Sequence, residues 1–197
     1  MIEGFLYFPT IVYRDEHPEW VDLISKCTEK YFVNKLNNSF IHQSSCIIGD
    51  SNLTFFVDYL IQTGKNVLSN QGYAIEKYEL YLSGLWGQEI EKNGGTNIHL
   101  HKNSQLCGWF FLEAPEGGSY PIYYDTRMNK PIIELDYKQE NEITTATPSI
   151  HFNNVLPGTV LLSNSWVPHQ LSVNTVKTTT KVVHFIISHK DKSCNIF

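Results

Sequence analysis

The spacing of apolar residues predicts helices in the first third of the chain. Two runs recur at helical spacing: Trp20, Ile24, Cys27 and Tyr31, and then Phe55, Phe56, Tyr59 and Leu60. Asp50 or Ser51 is a good N-cap for the second helix, and we expect Gly64 to end it. Upstream, residues 5–13 are rich in β-forming side chains, and Pro9 makes them an edge or interrupted strand.

From Tyr78 onward the pattern is that of short strands separated by Gly and Pro. The predicted strands cover residues 79–86, 96–101, 107–113, 120–124, 143–152, 158–162 and 181–188. Helices followed by many short strands indicate a mainly β fold, a jelly-roll or double-stranded β-helix with two helices packed on one sheet. We expect a single domain over residues 1–197, with the N-terminal strand and helices in 1–75 and the jelly-roll core in 76–197.

Composition narrows the class of protein. Hydrophobic residues make up 42% of the 197 positions, enough for a core without disulfides. The net charge of −5 and the lack of a basic run make nucleic acid an unlikely partner. No apolar run is long enough for a membrane helix and no signal peptide is visible, so we expect a cytoplasmic protein without a membrane partner. The cysteines lack CxxC spacing and are expected to be reduced: Cys27, Cys46, Cys107 and Cys194.

Three histidines mark the candidate chemistry. His99 and His101 are two residues apart in a predicted strand and would therefore point to the same face. His169 follows Pro168 in a second β-type run. Two neighbouring imidazoles and a distant third on a β-barrel are typical of a non-haem iron site. In such a site Asp or Glu ordinarily stands two residues after the first histidine. His101 takes that place here, so it is either the third ligand or a residue that orients His99 or substrate.

A keto acid bound at such a metal needs a cation for its distal carboxylate. Lys181 opens an apolar strand and could bury its stem while its head reaches the pocket, with Lys177 as the competing candidate. Trp109 is among the aromatic residues expected to exclude water. Asp125 and Arg127 lie at a strand end and could contact keto acid or substrate, or form a salt bridge within a turn. Two histidines on apolar strands, His151 and His184, are expected to be core residues.

Two stretches resemble a known family. Residues 97–104 (NIHLHKNS) and 107–112 (CGWFFL) are similar to the HxHPNS and SGxYYL core of the 2-oxoglutarate/Fe(II) oxygenases of bacteria and marine phages. Further matches in the same order are residues 8–10, 125–127, 157–162, 165–169, Asn174 and Lys181. The chain departs from the family pattern at four places: Lys102 and Thr126 replace Pro, Cys107 replaces Ser, and Lys181 replaces Arg.

The resemblance implies a double-stranded β-helix, Fe(II), and oxidative decarboxylation of 2-oxoglutarate to succinate. It implies that His99, His101 and His169 are the metal-binding and catalytic set. Lys181 would stand at the family's arginine, keeping its charge but losing the bidentate geometry of a guanidinium group.

These observations favour a 2-oxoglutarate- and Fe(II)-dependent hydroxylase. Its partners would be 2-oxoglutarate, O2 and an unidentified substrate, and the predicted cofactor-binding residues are Lys181, Arg127 and Trp109. The resemblance also allows a phage-encoded enzyme acting in the host cytoplasm. Two alternatives stay open: a cupin-like three-histidine metal dioxygenase or isomerase without keto acid, and a non-catalytic jelly-roll that serves a structural or binding role.

Overall fold

The computed structural model describes residues 9–32, 39–127 and 147–192. Within them are two α-helices, α1 (Val21–Glu29) and α2 (Thr54–Asn70). The strands are β1 (Val12–Glu16), β2 (Ile41–Gln43), β3 (Tyr78–Ile90), β4 (Leu106–Glu113), β5 (Pro121–Tyr124), β6 (Ser149–His151), β7 (Thr159–Asn164), β8 (His169–Leu171) and β9 (Thr180–Asp191). Neither described helix is long and apolar enough to cross a membrane.

The strands form two antiparallel sheets. The larger has the order β1-β7-β4-β9-β3-β2, and the smaller has the order β6-β5-β8. The two helices pack on one face of the larger sheet and the smaller sheet lies against the other. This is the predicted arrangement of two helices bracing one sheet of a mainly β fold.

Alternation along β9 separates the two faces of the larger sheet. Val183, Phe185 and Ile187 are fully buried in the cluster that contains residues of α1 and α2. Val182 packs in a second cluster, with residues of β5 and β8, and His184 shares its face. The sheet therefore has a mainly apolar face under the helices and a second face that carries a buried titratable group.

The second helix begins as predicted and ends later. The Asp50 carboxylate accepts a hydrogen bond from the backbone N–H of Asn52 at 3.0 Å, in the 3₁₀ turn that leads into α2. Gly64 does not end the helix but lies buried within it. A Cβ atom at this position would come within 3.0 Å of Ile187 Cδ1, so the glycine lets α2 approach β9 closely. The glycine with positive φ that follows the helix is Gly72, at φ 91°.

Three predicted strands differ from the observed ones. The first begins at Val12, and residues 5–8 of its predicted range lie outside the described chain. The predicted strand 96–101 is irregular and contributes one bridge, between His99 and His169. The predicted strand 143–152 is represented by Ser149–His151, its first four residues lying outside the described chain.

Candidate metal centre

Four histidines converge on the face of the larger sheet that is turned away from the helices. One ring nitrogen from each of His99, His101, His169 and His184 lies within 4.8 Å of those of the others. The first two come from the segment before β4, the third opens β8, and the fourth lies in β9. The structure thus brings together the three histidines that the sequence predicted and adds one that it did not.

Backbone hydrogen bonds hold the irregular segment in place. His99 and His169 exchange both backbone N–H to carbonyl bonds, each at 3.0 Å. The backbone N–H of His101 donates to the carbonyl of Ser165, also at 3.0 Å. His99 and His101 therefore reach the same site through this pairing, although the regular strand expected for them does not form.

Hydrogen bonds at Nδ1 fix the orientation of three of the four rings. In three rings Nδ1 donates to a backbone carbonyl: His99 to Asn97 at 2.8 Å, His169 to Val167 at 2.7 Å, and His184 to Phe185 at 3.2 Å. Because a carbonyl only accepts, Nδ1 carries the proton in these three rings and Nε2 carries the lone pair. The Nε2 atom of His169 lies 3.9 Å from Cys107 Sγ, whose thiol can donate to it. The Nε2 atoms of His101 and His184 are buried without a hydrogen-bond partner. Such unpaired acceptors are costly unless a metal ion or ligand satisfies them.

Burial keeps His101, His169 and His184 neutral at physiological pH. Desolvation and, to a lesser extent, the nearby His99 lower the pKa of His101 to about 4. Desolvation also lowers the pKa of His169 to about 4, and it lowers that of His184 well below the ordinary value. Because a protonated imidazole cannot coordinate, these three rings are already in the form that a divalent cation needs.

Aromatic rings and hydroxyl groups surround the imidazoles. Trp86 stacks on His184 at a centroid distance of 4.6 Å, and Trp109 lies 5.2 Å from His169. Trp109 Nε1, Tyr123 Oη and Ser165 Oγ are buried and make no hydrogen bond. These donors beside the imidazoles suit an oxygen-rich ligand, and Trp109, a predicted cofactor-binding residue, is one of them.

Lys181 lies on the opposite face of the sheet. It is three positions from His184 on the same strand, so alternation directs the two side chains to different sides. Lys181 Nζ lies 2.8 Å from Glu113 Oε1, and this carboxylate raises the pKa of the ammonium group. The side chain lines a small space beside α1 with Thr28 and Glu29. The expectation that Lys181 faces the histidine pocket is therefore corrected.

Two further expectations concern the neighbouring loops and strands. Arg127 follows β5 and forms a two-pronged ion pair with Asp125, whose oxygens both lie 3.0 Å from Nε. Its side chain is 60% exposed, so the turn salt bridge is the alternative that the structure contains. His151 is exposed on β6, whereas a core position was expected.

The sequence pattern assigned His184 to the core, and its burial agrees. The pattern did not predict which residues surround His184. The register of β9 with β3 and β4 places it between Trp86 and Trp109. The sequence contained one sign that His184 has a role beyond packing: it is a titratable residue in an otherwise apolar stretch of β9.

Several solved structures share this architecture at low sequence identity. A prolyl-4-hydroxylase from Pseudomonas putida superposes with a TM-score of 0.60 at 10% identity, over 92% of this chain and 94% of that one. HygX from Streptomyces hygroscopicus, solved with nickel and 2-oxoglutarate, gives 0.57 at 13% identity, over 91% and 83%. The viral collagen prolyl hydroxylase of Paramecium Bursaria Chlorella virus-1 gives 0.55 at 13% identity, over 89% and 94%. This likeness confirms the jelly-roll fold.

Sequence comparison identifies the family. No curated protein matches the chain. A family model described as "Putative 2OG-Fe(II) oxygenase" matches residues 84–185, just over half of the chain, and that span contains all four clustered histidines. The predicted cofactors, Fe(II) and 2-oxoglutarate, are those from which the family takes its name. The resemblance found in the motifs is confirmed, and the chain belongs to the 2OG-Fe(II) oxygenase family.

Proposed function

We propose that this chain is a hydroxylase that couples oxidation of an organic substrate to decarboxylation of 2-oxoglutarate. The observation that carries the proposal is the convergence of His99, His101 and His169 within the matched family span, with the rings of His101 and His169 kept neutral by burial. These three residues form the proposed metal-binding and catalytic set.

The histidine cluster fits a divalent first-row transition metal. Neutral imidazoles with buried lone pairs are suitable ligands for iron, and buried Nε2 atoms without partners are a reason to expect an ion there. His101 stands where the general two-histidine, one-carboxylate iron site has Asp or Glu. The set therefore carries one negative charge less than the usual two-histidine, one-carboxylate arrangement.

Iron, when bound, supplies the redox chemistry in which one atom of O2 enters succinate and the other enters the substrate, with release of CO2. The protein's own contribution is orientation and exclusion of water. The carbonyl-bound Nδ1 atoms aim the Nε2 atoms inward. Trp86 and Trp109 cover His184 and His169, and the fully buried Phe111 and Val182 extend this apolar surface.

Neutral donors are the groups that can hold 2-oxoglutarate in this arrangement. The N–H of Trp109 and the O–H of Tyr123 are buried, lack partners, and lie on rings within 6.2 Å of each other. We assign them to the carboxylate and keto oxygens of the cosubstrate. Burial raises the pKa of Tyr123 well above its ordinary value, so its hydroxyl remains a donor at neutral pH. The cationic role predicted for Lys181 would require its side chain to leave Glu113 and cross the sheet.

The test is turnover of 2-oxoglutarate by the reconstituted protein. Purified chain is loaded anaerobically with Fe(II), mixed with 2-oxoglutarate and oxygen, and assayed for succinate and CO2. Because two structural neighbours are prolyl hydroxylases, proline-containing peptides are the first substrate probes. We expect succinate to appear slowly without substrate and faster with an accepted one.

A matched pair of variants controls this assay. His169→Ala removes a proposed ligand, whereas His189→Ala removes an exposed histidine from β9. Succinate formation should disappear in the first variant and persist in the second. An iron-loaded wild-type protein that forms no succinate would contradict the proposal.

A second candidate is a metal-dependent dioxygenase that uses no keto acid. It is favoured by the all-imidazole cluster and by the position of Lys181 on the other face of the sheet. Binding of 2-oxoglutarate to the iron-loaded protein separates the two, because only the first function requires it.

A further inference from the structure

His184 has three properties of a metal ligand: a buried side chain, a ring held by a hydrogen bond, and a second ring nitrogen without a partner. Its side chain is buried on the central strand β9, and its Nδ1 is held by the carbonyl of Phe185. Trp86 stacks on one side of the ring, with an interplanar angle of 20°, and Trp109 lies at a centroid distance of 5.4 Å. The remaining nitrogen, Nε2, meets no hydrogen-bond partner.

A purely structural role does not account for this arrangement. An apolar residue would fill the same position without leaving a buried acceptor unpaired, which costs free energy. The unpaired nitrogen is also aimed at other nitrogens of the same kind, since the rings of His184 and His101 are 4.9 Å apart in an edge-on contact. One cation between His184 and His101 would give a partner to both of these buried nitrogens.

We propose that His184 is a fourth protein ligand of the metal, so that this chain holds its ion with four imidazoles. The inference rests on the proposed function only in placing a metal at this cluster. Its geometry is within reach, because nitrogens on opposite sides of one ion are about 4.2 Å apart when metal–nitrogen bonds are 2.0–2.1 Å. All four nitrogens already lie within 4.8 Å of one another, so a pair on opposite sides of the ion would need to approach by no more than about 0.6 Å.

Four imidazoles change both the charge and the open positions of the centre. No carboxylate offsets the charge of the ion, because the described members of the cluster are all histidines. Six-coordinate geometry then leaves two positions, where three protein ligands would leave three. A bidentate keto acid would fill both, so a position for oxygen would require one imidazole to leave the ion. Nitrogen ligands also favour Ni(II) and Cu(II) over Mn(II), so we expect a strong preference for the later metals.

The test counts imidazole ligands on a bound ion without using activity. Cu(II) is added to the metal-free wild type, and pulsed electron paramagnetic resonance detects the remote nitrogen of each coordinated ring. The same measurement is made on His184→Gln and on His189→Ala, whose exposed histidine lies on the same strand. The dissociation constant for Ni(II) is measured by calorimetry on all three proteins.

We expect four coordinated imidazoles in the wild type and in His189→Ala, and three in His184→Gln. Loss of one ligand should weaken Ni(II) binding by at least about tenfold, since even residues that merely orient ligands contribute about 10- to 100-fold. Circular dichroism checks the fold of His184→Gln. If that variant does not fold, the count on the wild type alone decides.

Three imidazoles on the wild-type ion, or an unchanged count and affinity in His184→Gln, would overturn the inference and leave the proposed function standing. A wild-type chain that binds no metal would overturn both.

Discussion

Replacing Lys181 by Met separates its two possible roles by the size of the effect. In the structure the Lys181 ammonium pairs with Glu113, and the two side chains are 24% and 44% exposed. Such a partly exposed pair contributes about 0.2–1 kcal/mol to stability. Because Met keeps the apolar stem, we expect Lys181→Met to lower the free energy of unfolding by no more than this amount and to leave half-saturation by 2-oxoglutarate within about threefold.

The alternative predicts a much larger change. If Lys181 held the distal carboxylate in a desolvated pocket, truncation would cost about 2–5 kcal/mol, or about 30- to several-thousand-fold in affinity. The assay is succinate formation in the absence of substrate, measured against 2-oxoglutarate concentration, with urea unfolding in parallel.

Trp109→Phe is the comparison, because it removes the unpaired N–H beside the imidazoles and keeps an aromatic ring, although the smaller ring also leaves a cavity at this buried position. Losing a hydrogen bond to a charged group costs about 1.5–3 kcal/mol, so half-saturation in this variant should rise by about tenfold or more. A shift of about 30-fold or greater in Lys181→Met, with Fe(II) binding unchanged, would refute the assignment of Lys181 to the helix side of the sheet.

Three further predictions test the site and its support. The pKa of His169 is about 4 in the folded chain and 6.5 ordinarily, so the unfolded chain binds the extra proton first as pH falls. The free energy of unfolding of the metal-free protein should therefore decrease from about pH 6.5 to about pH 4, by about 3 kcal/mol for this group taken alone, and a flat urea-unfolding profile would contradict it. His101→Asp restores a carboxylate, so it should retain one equivalent of Fe(II) and lower the preference for Ni(II) over Fe(II) in competition titrations; loss of Fe(II) binding would show that this position tolerates no carboxylate. Gly108→Ala would place a Cβ atom 2.1 Å from the carbonyl oxygen of Leu161, so thermal or urea unfolding should show a loss of about 1–3 kcal/mol, and an unchanged stability would show that β4 and β7 can separate there.

The parts of the fold that follow from local periodicity could be predicted from the sequence. The spacing of Trp20 and Ile24 marks α1, and the Asp50 cap marks the approach to α2. The end of α2 could not be predicted from Gly64, because that glycine serves the close approach to Ile187 on a strand more than a hundred residues away. Tertiary packing determines which residue is needed at such a position, and the local sequence carries no information about that packing.

Alternation also explains why the metal site was only partly predictable. Lys181 and His184 are three residues apart on one strand, so the sequence alone implies that at most one of them faces the pocket. Which one does depends on the register of β9 with β3 and β4, and the β4 pairing shifts by one residue between Phe111 and Glu113. A shift of one residue reverses the faces of a strand, and single-strand patterns do not report it.

The most direct test of the account is an anaerobic titration of the metal-free chain with Fe(II), followed by 2-oxoglutarate, monitored in the visible spectrum. We expect one equivalent of bound Fe(II) and a charge-transfer band that appears only when the keto acid is added. We expect no such band in His169→Ala. Bound iron without a band would contradict the keto-acid function, and a band of full intensity in His169→Ala would contradict the assignment of the metal to the histidine cluster.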